Sequence, residues 1–187
     1  MIYYLNLLNK EKVMRYTLLF FIVILGLFTP NFAKANTDIL KPYFSEAEPV
    51  GTGRLTYMFW DVYDATLIAP KGVFADKKPF ALKLKYLVDV KGQKISTLSI
   101  EEMKKQGFKD PQKLTSWEKE MTKIFPDMGS GTSIIGIRTK AGNAVFYKDN
   151  RHIGSIKDKE FAQKFFAIWL SPQTSEPELR AELLGGK

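Results

Sequence analysis

The sequence predicts an α+β domain in which helices cover one face of an antiparallel sheet. Three observations carry this expectation. Aromatic and β-branched residues crowd the run RLTYMFWDVYDATLI, Arg54 to Ile68; the apolar period changes from two to a helical spacing after Gly92; and it changes back in three short runs after Pro126, ahead of a last helical stretch.

In chain order, Asn36 to Pro49 reads as a tether or a first strand. The aromatic run from Arg54 reads as β structure closed by the turn Pro70-Lys71-Gly72. Phe80, Leu82, Leu84, Tyr86, Val88 and Val90 then alternate with Ala81, Lys83, Lys85, Leu87 and Asp89, the pattern of a half-exposed strand ending at Lys91-Gly92. Ser99 with Glu102 has the spacing of a capping box for a short helix ending near Gly107, and Thr115 with Glu118 repeats it ahead of WEKEMTKIF. Trp117, Met121, Ile124 and Phe125 share one helical face, and Pro126 ends it. SIIGIRT, NAVFYKD and RHIGSI are strands joined at Ala141-Gly142-Asn143 and Asp149-Asn150, residues that tolerate the positive φ of tight hairpins. A helix capped by Asp158 carries Phe161, Phe165, Ile168 and Trp169, and Ser175-Glu176-Pro177-Glu178 opens a last helix that closes at Gly185-Gly186.

The start of the chain is read separately. Lys10, Lys12 and Arg15 precede the apolar run Leu18–Phe28, and Ala33-Lys34-Ala35 supplies a small-x-small site, the layout of a secretory signal peptide covering residues 1–35. The plainer alternative, an uncleaved anchor, calls for about 20 apolar residues. The lead-in is long, and Met14 offers a tidier translation start. The expectation is therefore a periplasmic protein, residues 36–187, with one domain of about 150 residues. Membrane contact is expected only through the leader.

The leader holds four basic residues (Lys10, Lys12, Arg15, Lys34) and one acidic (Glu11), so its removal lowers the net charge from +8 to +5. The remaining charges are interspersed, as in KDKEFAQK, and no basic block stands beside an aromatic series, which argues against nucleic acid. There are no cysteines, which excludes disulfides, thiolate metal sites and a Cys nucleophile. His152 is the single histidine, so a zinc site or a Ser–His–Asp triad has little to draw on; its setting, KDNRHIG, is that of a hairpin residue.

Six stretches carry a family resemblance: GTGRLT (Gly51–Thr56), VYDATL (Val62–Leu67), ALKLKY (Ala81–Tyr86), Trp117 followed by FPDMGSG (Phe125–Gly131), VFYKDNRHIGSI (Val145–Ile156), and EFAQKFFAIWL leading into ELRAELLG. In this order and spacing the chain resembles the chalcone isomerase family from about Val50 to its end, and most closely the bacterial chalcone-isomerase-like branch of non-catalytic relatives. The resemblance implies an open-faced β-sandwich, a curved antiparallel sheet packed against helices with a cleft between them.

The plant isomerases of this family close a flavanone ring with an arginine, a tyrosine, an asparagine and threonines. By resemblance the arginine matches Arg54, while the strand threonine falls on Met58, the tyrosine on Ile95, the asparagine on Glu102 and the helix threonine or serine near Phe161. The implied protein keeps the scaffold without the reaction: no catalytic residue, cofactor or metal is assigned. Other relatives of this fold bind fatty acids, holding the carboxylate with an arginine and a tyrosine. Arg54 suits the first role because a guanidinium offers a bidentate fork. Tyr57, Tyr63 and Tyr86 compete for the second, and Met58 and Phe161 would surround an apolar tail. The plainer reading makes Arg54 a partner of Asp61 or Asp64 and the tyrosines core residues.

Three functions follow. The leading one is an exported, non-enzymatic ligand-binding or accessory protein for a fatty acid or similar acidic apolar molecule. The second is an enzyme with a relocated acid/base set drawn from Glu102, Asp61 and Asp64. The third is an interaction module that meets an envelope protein through YMFWDVY or FFAIWL.

Overall fold

A computed structural model describes residues 38–186. The expected leader and the choice between Met1 and Met14 lie outside the described residues. Six strands, β1 (Ala47–Tyr57), β2 (Trp60–Pro70), β3 (Phe80–Tyr86), β4 (Ser133–Arg138), β5 (Ala144–Lys148) and β6 (Arg151–Ile156), form one antiparallel sheet in sequential order. Helices α1 (Gly92–Lys105) and α2 (Pro111–Ile124) are inserted between β3 and β4, and α3 (Lys159–Leu170) and α4 (Pro177–Leu183) follow β6. The predicted class and order of elements are those observed.

The inward residues of β2 and β3 (Tyr63, Ala65, Leu67, Ala69; Phe80, Leu82, Leu84, Tyr86) pack against Met103, Trp117, Met121, Phe161, Phe165 and Trp169 of the helices. The opposite face is not bare. Leu40 and Phe44, from a segment that opens with a short 3-10 helix (Asp38–Leu40), cover Ile68, Ala81, Ile135, Ile137 and Val145. The Tyr43 and Tyr147 hydroxyls meet at 2.9 Å there. The stretch expected as a tether or a first strand is thus a lid on the outer face through Leu40 and Phe44 and, from Ala47, the start of β1.

Four local expectations change. The run Arg54–Ile68, read as β structure without an internal turn, holds a hairpin: Tyr57 pairs with Trp60 across a turn at Met58-Phe59 that contains neither Gly, Asn nor Pro. β3 ends at Tyr86 and is covered on both sides, since Ala81 is fully buried under the N-terminal lid. Ser99 is not a cap: it lies inside α1 and returns its hydroxyl to the Ile95 carbonyl. Thr115 likewise bonds back to Pro111 inside α2, whose cap is Asp110 with Pro111 as first residue. The N-terminus of α1 is satisfied from far away, by Asp127 Oδ1 accepting from Gly92 N–H at 3.0 Å. Asp158 caps α3 as expected, and positive φ falls at Gly142, Asp149 and Asn150 in the two hairpins.

The GTG of the first family-like stretch has a packing reason. A Cβ on Gly51 would lie 2.1 Å from the Glu182 carbonyl, and one on Gly53 2.7 Å from Leu179 Cδ1. Helix α4 therefore rests directly on the backbone of β1, which only glycine allows.

Candidate functional site

The five sequence-predicted ligand residues fall in three places. Tyr63 and Tyr86 stand side by side on the inner face of β2 and β3, in register, with ring centroids 5.9 Å apart. Trp169 Nε1 donates to the Tyr63 hydroxyl at 2.8 Å. Burial raises both phenols far above their ordinary range, with a further push on Tyr63 from Glu176 and Glu102 and on Tyr86 from Tyr63. Both are consequently neutral hydrogen-bond donors in ordinary solution. The Tyr86 hydroxyl has no hydrogen-bond partner among the described residues, and since none of their fully buried polar atoms lacks a partner, this hydroxyl keeps a point of contact with solvent. Leu55, Val62 and Ile95 are half-buried around the same core.

Glu102 and Glu176 lie at this end of the sheet. Glu102 accepts from Lys105 Nζ at 2.7 Å and from Ser175 Oγ at 2.6 Å. Burial and the neighbouring Glu102 push the Glu176 carboxyl above its ordinary range. Sequence spacing held no sign of this pair, because the residues leading into α4 reach Glu102 of α1 only in the folded chain.

Arg54 is elsewhere. It pairs in register with Asp64, one position out of step with Tyr63, so it belongs to the opposite face of the sheet from the two tyrosines. Its Nε donates to Asp64 Oδ1 at 2.6 Å and its Nη1 to Asp61 Oδ2 at 2.7 Å, half exposed to water. Thr56 Oγ1 adds a bond to Asp61, and Thr56 with the guanidinium holds that carboxyl below the usual range. Both edges of the Arg54 fork are thereby occupied by aspartates of its own hairpin. Asp61 and Asp64 serve this clamp and do not converge with Glu102.

Phe161 is fully buried in the centre of the core, 5.7 Å from the Trp117 ring and 5.4 Å from the Phe165 ring. Met58 is at the far extreme, 73% exposed at the turn of the β1–β2 hairpin with φ 56°. No single wall contains Arg54, Met58, Tyr63, Tyr86 and Phe161. Parity of the strands and the unrecognised turn are the reasons.

Two surface features lie apart from the expected ligand residues in the core. A surface depression of about 380 Å³ lies between α1 and α2, with Ile100, Phe108 and Leu114 as its floor and Lys104 and Lys109 among its lining. And Tyr57, Phe59 and Trp60 join Met58 in full view of solvent, Phe59 at 91%. The aromatic density of YMFW was visible in the sequence, and of the three functions only the interaction module called for its exposure. The turn also carries backbone strain, because a left-handed conformation at a residue other than Gly or Asn costs on the order of 1 kcal/mol.

The described residues contain no helix long and apolar enough to cross a membrane. Comparison with known proteins agrees with the architecture. A family profile described as chalcone isomerase-like matches residues 50–185. An uncharacterised protein of Haemophilus influenzae is 27% identical over 143 residues, 76% of this chain and 70% of that one. The crystal structure of an Arabidopsis thaliana fatty-acid binding protein superposes with a TM-score of 0.59 at 12% identity, over 75% of this chain and 88% of that chain. With the six-stranded sheet, its helical cover and a profile match over most of its length, the chain belongs to the chalcone isomerase-like family.

Proposed function

We propose that this is an exported, periplasmic and non-enzymatic binding protein, whose ligand is an apolar molecule with a hydrogen-bond-accepting polar end, a fatty acid or a close analogue. The observation that carries the reading is the Tyr86 hydroxyl: a neutral donor on a ring that is almost wholly buried, without a hydrogen-bond partner among the described residues, beside Tyr63 in an apolar core. Small-molecule sites characteristically combine such an apolar lining with a few unpaired polar groups. The fatty-acid binding protein of similar fold adds weight to that ligand class. Ile95 lacks the phenol that the plant isomerases use, and Glu102 is tied to Lys105 and Ser175, so ring closure of a chalcone should not exceed the spontaneous rate.

Titration of a fluorescent fatty acid against wild type, Tyr86→Phe and Arg54→Ala tests this. Tyr86→Phe should weaken binding roughly tenfold, the scale of one hydrogen bond to a charged or strongly polar group, whereas Arg54→Ala should bind as wild type does. Weakening by Arg54→Ala alone would move the polar end of the ligand to the outer face and to Arg54. Absence of binding by the wild type would sink the ligand reading. A second reading, an interaction module, is favoured by the exposed residues Tyr57 to Trp60, and would then stand first.

A further inference from the structure

We propose that the β1–β2 turn is a membrane-docking finger, with Met58 and Phe59 entering the boundary of the hydrocarbon layer and Tyr57 and Trp60 lying at head-group level. This inference does not depend on whether a ligand occupies the Tyr86 site. It differs from the sequence expectation, which confined membrane contact to the leader.

The geometry of the hairpin is the first reason. β3 pairs with β2 only as far as Tyr63 and Leu87 N–H still bonds the Val62 carbonyl, so Tyr57 to Asp61 project beyond the body of the sheet with little but each other as strand neighbours. Three residues of strand reach about 10 Å at roughly 3.3 Å each. The head-group layer on each side of a bilayer is about 5–8 Å deep, so a finger of this length can cross it.

The order of side chains along the finger is the second reason. Its apex is wholly apolar, Met58 and Phe59. Behind the apex Tyr57 and Trp60 face each other as a cross-strand pair, the two residue types that collect at membrane–water interfaces because each joins an apolar ring to a polar atom. Behind them stands a polar collar, Thr56, Asp61, Arg54 and Asp64, whose charges are bonded to one another. Apolar, amphipathic and charged layers thus succeed one another in the sequence that a bilayer presents from its interior outwards. A protein partner would ask for no such gradient, and none of the finger's residues lines the depression between α1 and α2.

The third reason is the turn itself. Met58 holds a left-handed conformation better suited to glycine or asparagine, and its side chain repays that strain with no burial in the folded chain. The Met58 side chain is therefore free to act outside the molecule. Because the collar holds one guanidinium and two carboxylates, the finger offers no net positive charge, and its docking should work on zwitterionic lipid.

Trp60 is a built-in reporter, since Trp117 and Trp169 are both buried. The experiment uses the full chain with phosphatidylcholine vesicles, and takes the fluorescence of wild type minus that of Trp60→Phe as the Trp60 signal. On vesicles this signal should move to the blue and be quenched by bromines placed high on the acyl chains, and added phosphatidylglycerol should change it little. The double variant Met58→Asp, Phe59→Asp, altered only at exposed positions, should keep its circular dichroism and lose both effects. A chain held on vesicles by its apolar run Leu18–Phe28 while Trp60 stays water-like and unquenched would overturn the proposal. So would a concentration-dependent blue shift without lipid, which would assign the finger to a second copy of the chain.

Discussion

Two regions built from the same kinds of residue have opposite fates in this molecule. Tyr63, Tyr86, Phe161 and Trp169 are buried where the sheet meets its helices, while Tyr57, Phe59 and Trp60 stand in solvent only a few positions upstream. Both sets are large, aromatic and strand- or helix-borne. What separates them is the number of neighbours the fold supplies: β2 has β1 on one side, β3 on the other and helices above it from Tyr63 onward, and at Trp60 it has only the returning strand. Aromatic density marks where a chain can bury surface, and the extent of the adjoining strands decides where it does.

The largest effect expected on this comparison comes from its buried side. Phe161→Ala would leave a cavity among Trp117, Phe146 and Phe165 and should cost about 3–5 kcal/mol in denaturant unfolding, whereas Phe59→Ala, removing as many atoms from the finger, should stay within about 0.5 kcal/mol. Comparable losses at the two positions would abolish the distinction.

Next in size is the contrast between the paired and the unpaired phenol. Tyr63→Phe strands the buried indole N–H of Trp169 and should destabilise by about 1–3 kcal/mol. Tyr86→Phe removes a hydroxyl that bonds no described residue, and thermal unfolding should register little change. A large loss from Tyr86→Phe would mean that its hydroxyl serves the fold, and the ligand proposal would lose its main support.

The cap that starts the helix bearing Phe161 and Trp169 gives a smaller effect with a pH signature. Burial of Asp158 alone would raise its carboxyl, but the Trp117 indole N–H and the backbone N–H groups of Phe161 and Glu160 outweigh it and hold the group below the usual range. A depressed folded-state value stabilises the fold above the unfolded value, near 4, and that contribution disappears as pH falls through the lower, folded one. Asp158→Ala should therefore cost about 1 kcal/mol at neutral pH, with the gap between variant and wild type closing below about pH 4. A gap that is constant down to pH 2 would show that the carboxylate charge plays no part.

The smallest effect belongs to the finger. Met58→Asn should relieve the strained turn and leave stability unchanged or raised by up to about 1 kcal/mol, since asparagine tolerates the left-handed region and methionine buries nothing there. Measurable destabilisation would reveal packing at the tip and weaken its assignment to an outside surface.

Much of this architecture was legible in the residues. The alternation from Phe80, the helical face of Trp117 and Met121, the Asn and Gly turns of the last three strands and the Asp158 cap are local signals, and local chemistry fixes them: a strand repeats every two residues, a helix every 3.6, and a tight hairpin needs positive φ. The site was less legible, and its failures have distinct causes. A turn at Met58-Phe59 without turn residues hid the hairpin, and with it the exposure of YMFW. Arg54 and Tyr63 looked like parts of one site, yet the register of β1 on β2 sends them to opposite faces of the sheet. Asp127 capping α1, α4 resting on Gly51 and Gly53, and Glu176 settling beside Glu102 join residues tens of positions apart. The sequence by itself determined the class of fold, the order of its elements and the composition of its core, because hydrophobic period and turn preference act over a few residues. Only the tertiary structure decided which aromatic residues are covered, which face each polar side chain occupies and which carboxylates meet, because those depend on strand register and on helices arriving from distant parts of the chain.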